Sequence, residues 1–179
     1  MSSTSPTWQA VAERLVAERG DALARYAYLL CGNRDDAADL VQDALVRTFG
    51  RLRGDFTPAG AEAYVRRAIL TSYIDGGRRA SRWRSVLHLT ARGEDSGGDG
   101  SDDRLDLQDQ LRRLGRQERA CIVLRYYEDL TVDGIADRLG ITPGTVKRYL
   151  SDGLAKLASG LGGQRGRAPG APATAPSLP

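Results

Sequence analysis

Apolar positions recur along most of the chain at helical spacing. Trp8, Val11, Ala12, Leu15 and Val16 fall at i, i+3, i+4, i+7 and i+8, one stripe of an amphipathic helix. Leu23, Tyr26, Ala27 and Leu30 repeat that spacing in a second segment. The turn from Gly32 to Asp36 offers Asn33 or Asp35 as an N-cap, and Leu40, Val41, Ala44, Leu45 and Thr48 form the next stripe. Residues 54–60, GDFTPAG, read as a turn-rich loop. A fourth helix is predicted from near Ala61 through Asp75, weakened by Gly76 and Gly77, each costing about 1 kcal/mol relative to Ala in a helix interior. No segment alternates as a half-buried strand does, and no internal repeat is visible.

Residues 93–103, GEDSGGDGSDD, contain no apolar side chain and read as a flexible, self-repelling linker. A second compact unit follows from about Leu105 to Leu161, and its sharpest pattern lies at residues 130–157. There Thr131 can cap a short helix whose inner face is Ile135, Ala136 and Leu139, and Gly140 suits the left-handed position that ends it. Thr142 can cap the next helix, with Pro143 at the first position, where a missing N–H costs little. Val146, Leu150, Leu154 and Leu157 form the predicted buried side. Helix, glycine turn and capped helix make a helix-turn-helix, with Thr142, Pro143, Gly144, Lys147, Arg148 and Ser151 outward. Lys147 and Arg148 can donate to guanine edges and Thr142 to a phosphate. A plain helical hairpin with a solvated basic face would need none of the coinciding caps. After Gly162 the sequence is rich in Pro, Ala and Gly and has almost nothing to bury.

The expected fold is therefore all-α: two small helical domains joined by a flexible acidic linker, the carboxy-terminal one a helix-turn-helix. Their expected bounds are 1–85 and 105–162, with the linker at 86–104 and a disordered tail at 163–179.

Charge sharpens this division. The 179 residues carry 26 Lys+Arg and 23 Asp+Glu, a net +3 that says little by itself. Residues 61–92 hold 7 basic and 2 acidic groups, residues 93–111 hold 1 and 7, and residues 112–160 hold 9 and 6. Two basic segments flank an acidic spacer, as polyanion-binding modules on a tether would. All but Lys147 and Lys156 of the cations are arginine, which suits phosphate recognition and equally follows from a GC-rich codon bias. One histidine and two cysteines ninety positions apart, Cys31 and Cys121, exclude a disulfide framework or a zinc knuckle. The cysteines read as small buried hydrophobes, and His88 has no assignable role. No Gly-rich phosphate loop or nucleophile–base set is present, so no enzyme activity, metal or cofactor is expected. No apolar run nears the roughly 18 residues that span a bilayer, and no signal pattern opens the chain, so a cytoplasmic location without membrane insertion is expected.

Three stretches carry a family resemblance. LGRQERACIVLRYYEDLTVDGIADRLGITPGTVKRYL resembles the fourth conserved region of bacterial sigma factors, which reads the −35 promoter element. DDAADLVQDALVRTF is similar to the core-binding helix of the second conserved region, and AYVRRAILTSYIDGGRR to the helix after it, which reads and opens the −10 element. The order of the regions, with no third domain between them, resembles the extracytoplasmic-function group.

That resemblance implies an RNA polymerase sigma factor, a non-catalytic subunit that directs core enzyme to promoters. It places Asp39, Gln42 and Asp43, with Arg47 on the same helix side, against the clamp helices of the polymerase's largest subunit. On physical grounds alone that charged face would be solvated. It assigns the −10 contacts to Asp55, Phe56, Arg66, Arg67, Thr71, Arg78, Arg79, Arg82 and Trp83, with the loop Asp55–Gly60 forming a pocket for one flipped base. Many relatives carry asparagine where Thr71 stands and bulky residues at Gly76 and Gly77. Implied partners are the polymerase core, including the flap of the second-largest subunit, promoter DNA and an anti-sigma factor, with the free chain a monomer. The acidic linker either threads the polymerase channels as an RNA mimic or is a plain tether. The alternative is a stand-alone regulator of the LuxR type, whose DNA-binding unit resembles residues 130–157, although residues 1–85 offer no βα sensing pattern.

Overall fold

The computed structural model describes residues 8–51, 58–86 and 102–164, and every regular element among them is a helix. In chain order these are α1 (Trp8–Cys31), α2 (Arg34–Arg51), α3 (Pro58–Val86), α4 (Asp102–Arg112), α5 (Arg116–Tyr126), α6 (Val132–Leu139) and α7 (Pro143–Gln164). None is long and apolar enough to cross a membrane.

The first three helices form one packed unit. The two stripes predicted at 8–16 and 23–30 are one continuous 24-residue helix, because they stay in register through Gly20. Val11, Leu15, Leu23, Tyr26, Ala27 and Leu30 are its buried face, while Trp8 and Val16 lie at the stripe's margin, each 49% exposed. Gly32, at φ +90°, turns the chain, a conformation that costs glycine nothing. Asn33 then caps α2: its Oδ1 accepts from the Asp36 N–H at 2.7 Å, settling the choice between Asn33 and Asp35. Ala37, Ala44, Thr48 and Phe49 of α2 and Val65, Ile69, Leu70 and Tyr73 of α3 complete the core.

The helix α3 departs from expectation at both ends. It begins at Pro58, inside the segment read as a loop, because proline fits the first position of a helix. It also runs straight through Gly76 and Gly77 to Val86. A helix of 29 residues, anchored by a buried face, absorbs two glycine penalties of about 1 kcal/mol each. The acidic stretch read as linker gives up its end, since α4 starts at Asp102, and α7 extends to Gln164. The remainder of linker and tail, 87–101 and 165–179, lies outside the described residues, as does His88.

The carboxy-terminal helices pack Ala120, Cys121, Val123 and Leu124 of α5 against Ile135 and Ala136 of α6 and Val146 of α7. Leu150 and Leu157 are half-buried, as the stripe predicted, but Leu154 is 42% exposed. Gly153 takes the inner position instead: a Cβ there would stand 3.2 Å from Ile122 Cγ1, so α5 and α7 approach too closely for a leucine.

The two halves also touch. Tyr127 stacks on Tyr26, with ring centroids 6.1 Å apart and planes at 20°. The Arg119 side chain, 4% exposed, donates to the Leu29 carbonyl at 2.6 Å and to Gln108 Oε1 at 3.0 Å. Arg112 donates to the Gly32 carbonyl at 2.7 Å, and Arg116 donates to the Tyr73 carbonyl while lying 4.5 Å above the Tyr73 ring.

Candidate functional site

The helix-turn-helix is built by local chemistry. Thr131 Oγ1 accepts from the Gly134 N–H at 3.1 Å, and Asp133 adds an acidic group to the first turn of α6. Gly140 ends that helix at φ +65° and ψ 40°, its N–H returning to the Ala136 carbonyl. Thr142 Oγ1 accepts from the Thr145 N–H at 3.3 Å and lies 2.9 Å from Thr145 Oγ1. Val146, fully buried, pins α7 against the α5–α6 pair. What α7 turns outward is the predicted set: Thr142, Pro143, Gly144, Lys147, Arg148 and Ser151 are all exposed. The Arg148 guanidinium lies 5.2 Å over the ring of half-buried Tyr149, which orders it without removing its donors. Further along, Lys156 Nζ reaches the Glu118 carboxylate at 2.6 and 2.7 Å, tying α7 to α5. That hydrogen bond from Lys156, opposed by burial and aided by the Gly115 N–H, holds the Glu118 carboxyl below the usual carboxylate range.

On α2, Asp39, Gln42, Asp43 and Arg47 are exposed along one side of the helix. Asp43 and Arg47 stand 3.9 Å apart, a loose surface pair that leaves Asp43 open to a stronger partner. Val46, 66% exposed, continues this face one turn on as an apolar position that charge-based reading passes over.

On α3 the expected −10 residues separate. Arg67 and Thr71 are exposed, with Thr71 Oγ1 donating to the Arg67 carbonyl at 2.9 Å. Because the helix is unbroken, positions 67, 71, 78 and 82 share one face within about 60° of arc. Arg78, Arg79, Arg82 and Trp83 are placed by backbone alone, and Asp55 and Phe56 lie outside the described residues. Arg66 departs from the expectation of an open basic surface. Its side chain is only 13% exposed, bonded to Glu62 at 2.9 Å and to Glu128 of the other half. Its guanidinium lies 5.3 Å over the Tyr26 ring and 6.0 Å over that of Tyr127. Burial opposes its charge, but Glu128 and Glu62 outweigh that and leave its pKa raised. Glu62 is in turn held below the usual carboxylate range, first by a hydrogen bond from Arg19, with burial opposing and Arg66 assisting.

Sequence patterns do not mark Arg112, Arg116, Arg119 and Glu128, all of which bridge the halves. Their partners lie 43 to 90 residues away, beyond the reach of any local signal. Both cysteines are free. Cys121 is fully buried, and burial pushes its thiol up to about 11. Cys31, also raised by burial, donates from Sγ to the Asn33 carbonyl at 3.2 Å. Among the described residues no three His, Cys, Asp or Glu side chains are grouped to hold a metal.

Comparison with known proteins finds both halves in order. The family description Sigma-70 region 2 matches residues 15–83, and Sigma-70, region 4 matches residues 104–157. The chain is 36% identical over 152 residues to the RNA polymerase sigma-E factor of Streptomyces avermitilis, covering 81% of this chain and 82% of that one. It is 34% identical over 158 residues to the ECF RNA polymerase sigma factor SigL of Mycobacterium tuberculosis, covering 84% and 88%. Among solved structures, CnrH in complex with the cytosolic domain of CnrY aligns with a TM-score of 0.58 at 26% identity, over 89% of this chain and 92% of that one. The sigma factor RpoE in complex with the anti-sigma factor NepR, from Bartonella quintana, shares the fold with a TM-score of 0.61 at 21% identity, over 84% and 96%. A match to both regions, rather than to a helix-turn-helix alone, sets aside the stand-alone LuxR-type regulator. The chain belongs to the sigma-70 family of RNA polymerase sigma factors, in its extracytoplasmic-function branch.

Proposed function

We propose that this chain recruits polymerase core to promoters by reading the −35 element with α7 and the −10 element with α3, while α2 holds the core. The observation that carries the −35 assignment is the orientation of α7. Its Val146 side is buried and its Thr142–Ser151 side is free, so a major groove can take the helix without disturbing the fold. Lys147 and Arg148 read guanine edges, Thr142 and the Gly144 N–H at the start of α7 hold a phosphate, and Ser151 ends the contact. Arg67, Thr71, Arg78 and Arg82 track the −10 strand along one face of α3, and Trp83 stacks on an unpaired base. Asp55 and Phe56 belong to the pocket for a flipped base, Arg79 adds a phosphate contact, and Arg66 joins it only on release from Glu62 and Glu128.

Asp39, Gln42 and Asp43 supply the acceptors for basic clamp helices of the largest subunit, with Arg47 setting the approach. Residues 105–162 in addition engage the flap of the second-largest subunit. The division into 1–85 and 105–162 fits this two-element reading, since each half then carries one DNA contact. The chain acts as a non-catalytic initiation factor in the cytoplasm, and the company of anti-sigma factors in the related solved complexes supports an anti-sigma partner here as well. Band-shift titration of the monomeric chain tests this. The chain alone should bind duplex promoter DNA weakly and should bind it tightly and specifically once core is added. Tight sequence-specific binding by a core-free dimer overturns the reading.

A further inference from the structure

The outward side of α7 carries two cations that are held very differently. Lys147 and Arg148 are both exposed. At about 100° per residue, Lys147 stands about 100° round the helix from buried Val146, and Arg148 about 160° from it, almost straight outward. Lys147 makes no hydrogen bond, ion pair or ring contact among the described residues. Its four-carbon stem therefore keeps a rotamer freedom that must be lost when it meets a base. Arg148 is already held, with its guanidinium carbon 5.2 Å from the centroid of the Tyr149 ring. Tyr149 is half-buried and packs against the core that contains Val146, so the fold itself fixes the ring.

Spacing alone does not bring this pair together, because adjacent helix positions do not face each other. Helical spacing favours a different partner: Asp152, also exposed, stands at i+4 from Arg148, the usual place for an ion pair. No such pair forms among the described residues, and the guanidinium lies over the ring instead. The difference matters for what Arg148 can still do. A carboxylate would occupy its donor fork, whereas a ring face takes up the cation's charge and leaves the in-plane N–H groups free. That fork is what guanine O6 and N7 accept. The ring thus removes rotamer freedom from Arg148 before any base is present, and a contact made by an ordered side chain costs less on binding. Lys147 offers a point charge on a free stem, which a base oxygen or a phosphate satisfies from many directions.

We propose that Tyr149 is a positioning residue for −35 recognition: its ring holds Arg148 in the conformation that reads one guanine, so that Arg148 makes the sharper base choice and Lys147 the more tolerant one. This rests on the −35 reading of α7 given above and names the residue that gives that reading its selectivity.

Holoenzyme reconstituted from purified core and the full chain would select from duplexes randomised over the −35 element and fixed elsewhere. Sequencing the bound fraction gives the base preference at every position. Arg148→Ala should flatten one position, which identifies the base that Arg148 reads. Tyr149→Leu should lower the preference at that same position by roughly two- to fivefold, the range an exposed cation–ring contact supports, and leave the other positions as they are. Its salt dependence should match wild type, because no cation is lost. Tyr149→Phe keeps a ring face and should restore the wild-type preference. A ring that served packing alone would instead lower selection evenly across the element. If Tyr149→Leu lowers the melting midpoint, Tyr149→Met, which fills irregular space without a ring, carries the same comparison. Full preference at the Arg148 position in both ring-less variants overturns the proposal, as does a loss spread evenly over the element. So does an Arg148→Ala chain that weakens every duplex alike while the salt slope falls by about one, the mark of a phosphate contact. Wild-type holoenzyme that selects no base anywhere in the element brings down the −35 reading itself, and the proposal with it.

Discussion

Gly140 isolates a backbone cost from every packing cost, so its substitution tests the helix-turn-helix quantitatively. Its φ of +65° and ψ of 40° are left-handed, yet a Cβ built there meets nothing within 4 Å. Alanine would therefore lose only the conformational preference, roughly 1–2 kcal/mol. The smaller freedom of alanine in the unfolded chain returns part of this, about 0.4–1 kcal/mol. A net loss of about 1 kcal/mol follows, which for a chain of this length lowers the melting midpoint by roughly 2–4 °C. Asparagine tolerates the left-handed region and should lose less than alanine, while β-branched valine should lose more. Thermal unfolding by circular dichroism of the three variants reads the ranking directly. Valine matching wild type, or asparagine losing the most, would refute the claim that backbone conformation alone sets this position.

Other expectations follow from the same geometry. Lys147→Ala and Arg148→Ala should each weaken holoenzyme binding to the −35 element by roughly 1–3 kcal/mol for every base edge no longer read, measured by competition titration with substituted promoters. Asp39→Arg should lower core affinity with melting temperature unchanged, because the side chain is exposed; normal core binding would remove α2 from the interface. The acid limb of stability should report Glu62 and Glu118. Both carboxyls titrate below their ordinary value in the folded chain, so their contribution is complete above about pH 4.5 and is lost as pH falls through the depressed folded values, as a melting series should record. Cys31 and Cys121 should resist alkylation at pH 8 in the native chain and react together in denaturant, since burial raises both thiols.

What is legible in the sequence is what neighbouring residues decide. The caps at Thr131 and Thr142 and the left-handed Gly140 bond within a few positions of themselves, so the pattern of residues 130–157 is enough to place them. The acidic side of α2 is legible for the same reason, since helical spacing alone puts Asp39 and Asp43 together. Tertiary packing hides the rest. Leu154 fits the apolar stripe of α7, but the close approach of α5 gives the inner position to Gly153. Gly76 and Gly77 suggest a weak point, yet α3 continues because its buried face supplies more than propensity subtracts. Arg66 reads in the sequence as one more member of an open basic cluster, and only the fold brings Glu128 to it across 62 residues. Charges that form one surface in the sequence are divided in the molecule between an exposed face and the seam between the halves.

Run-off transcription with purified polymerase core decides whether this chain initiates at promoters. Core alone should be silent on a cognate promoter, and adding this chain should yield a discrete transcript. That transcript should disappear when the −35 or −10 sequence is scrambled, and be sharply reduced by the Lys147→Ala/Arg148→Ala pair. A chain that binds core but supports no initiation on any promoter of its genome, or a transcript indifferent to both elements, would contradict promoter-specific initiation by this chain.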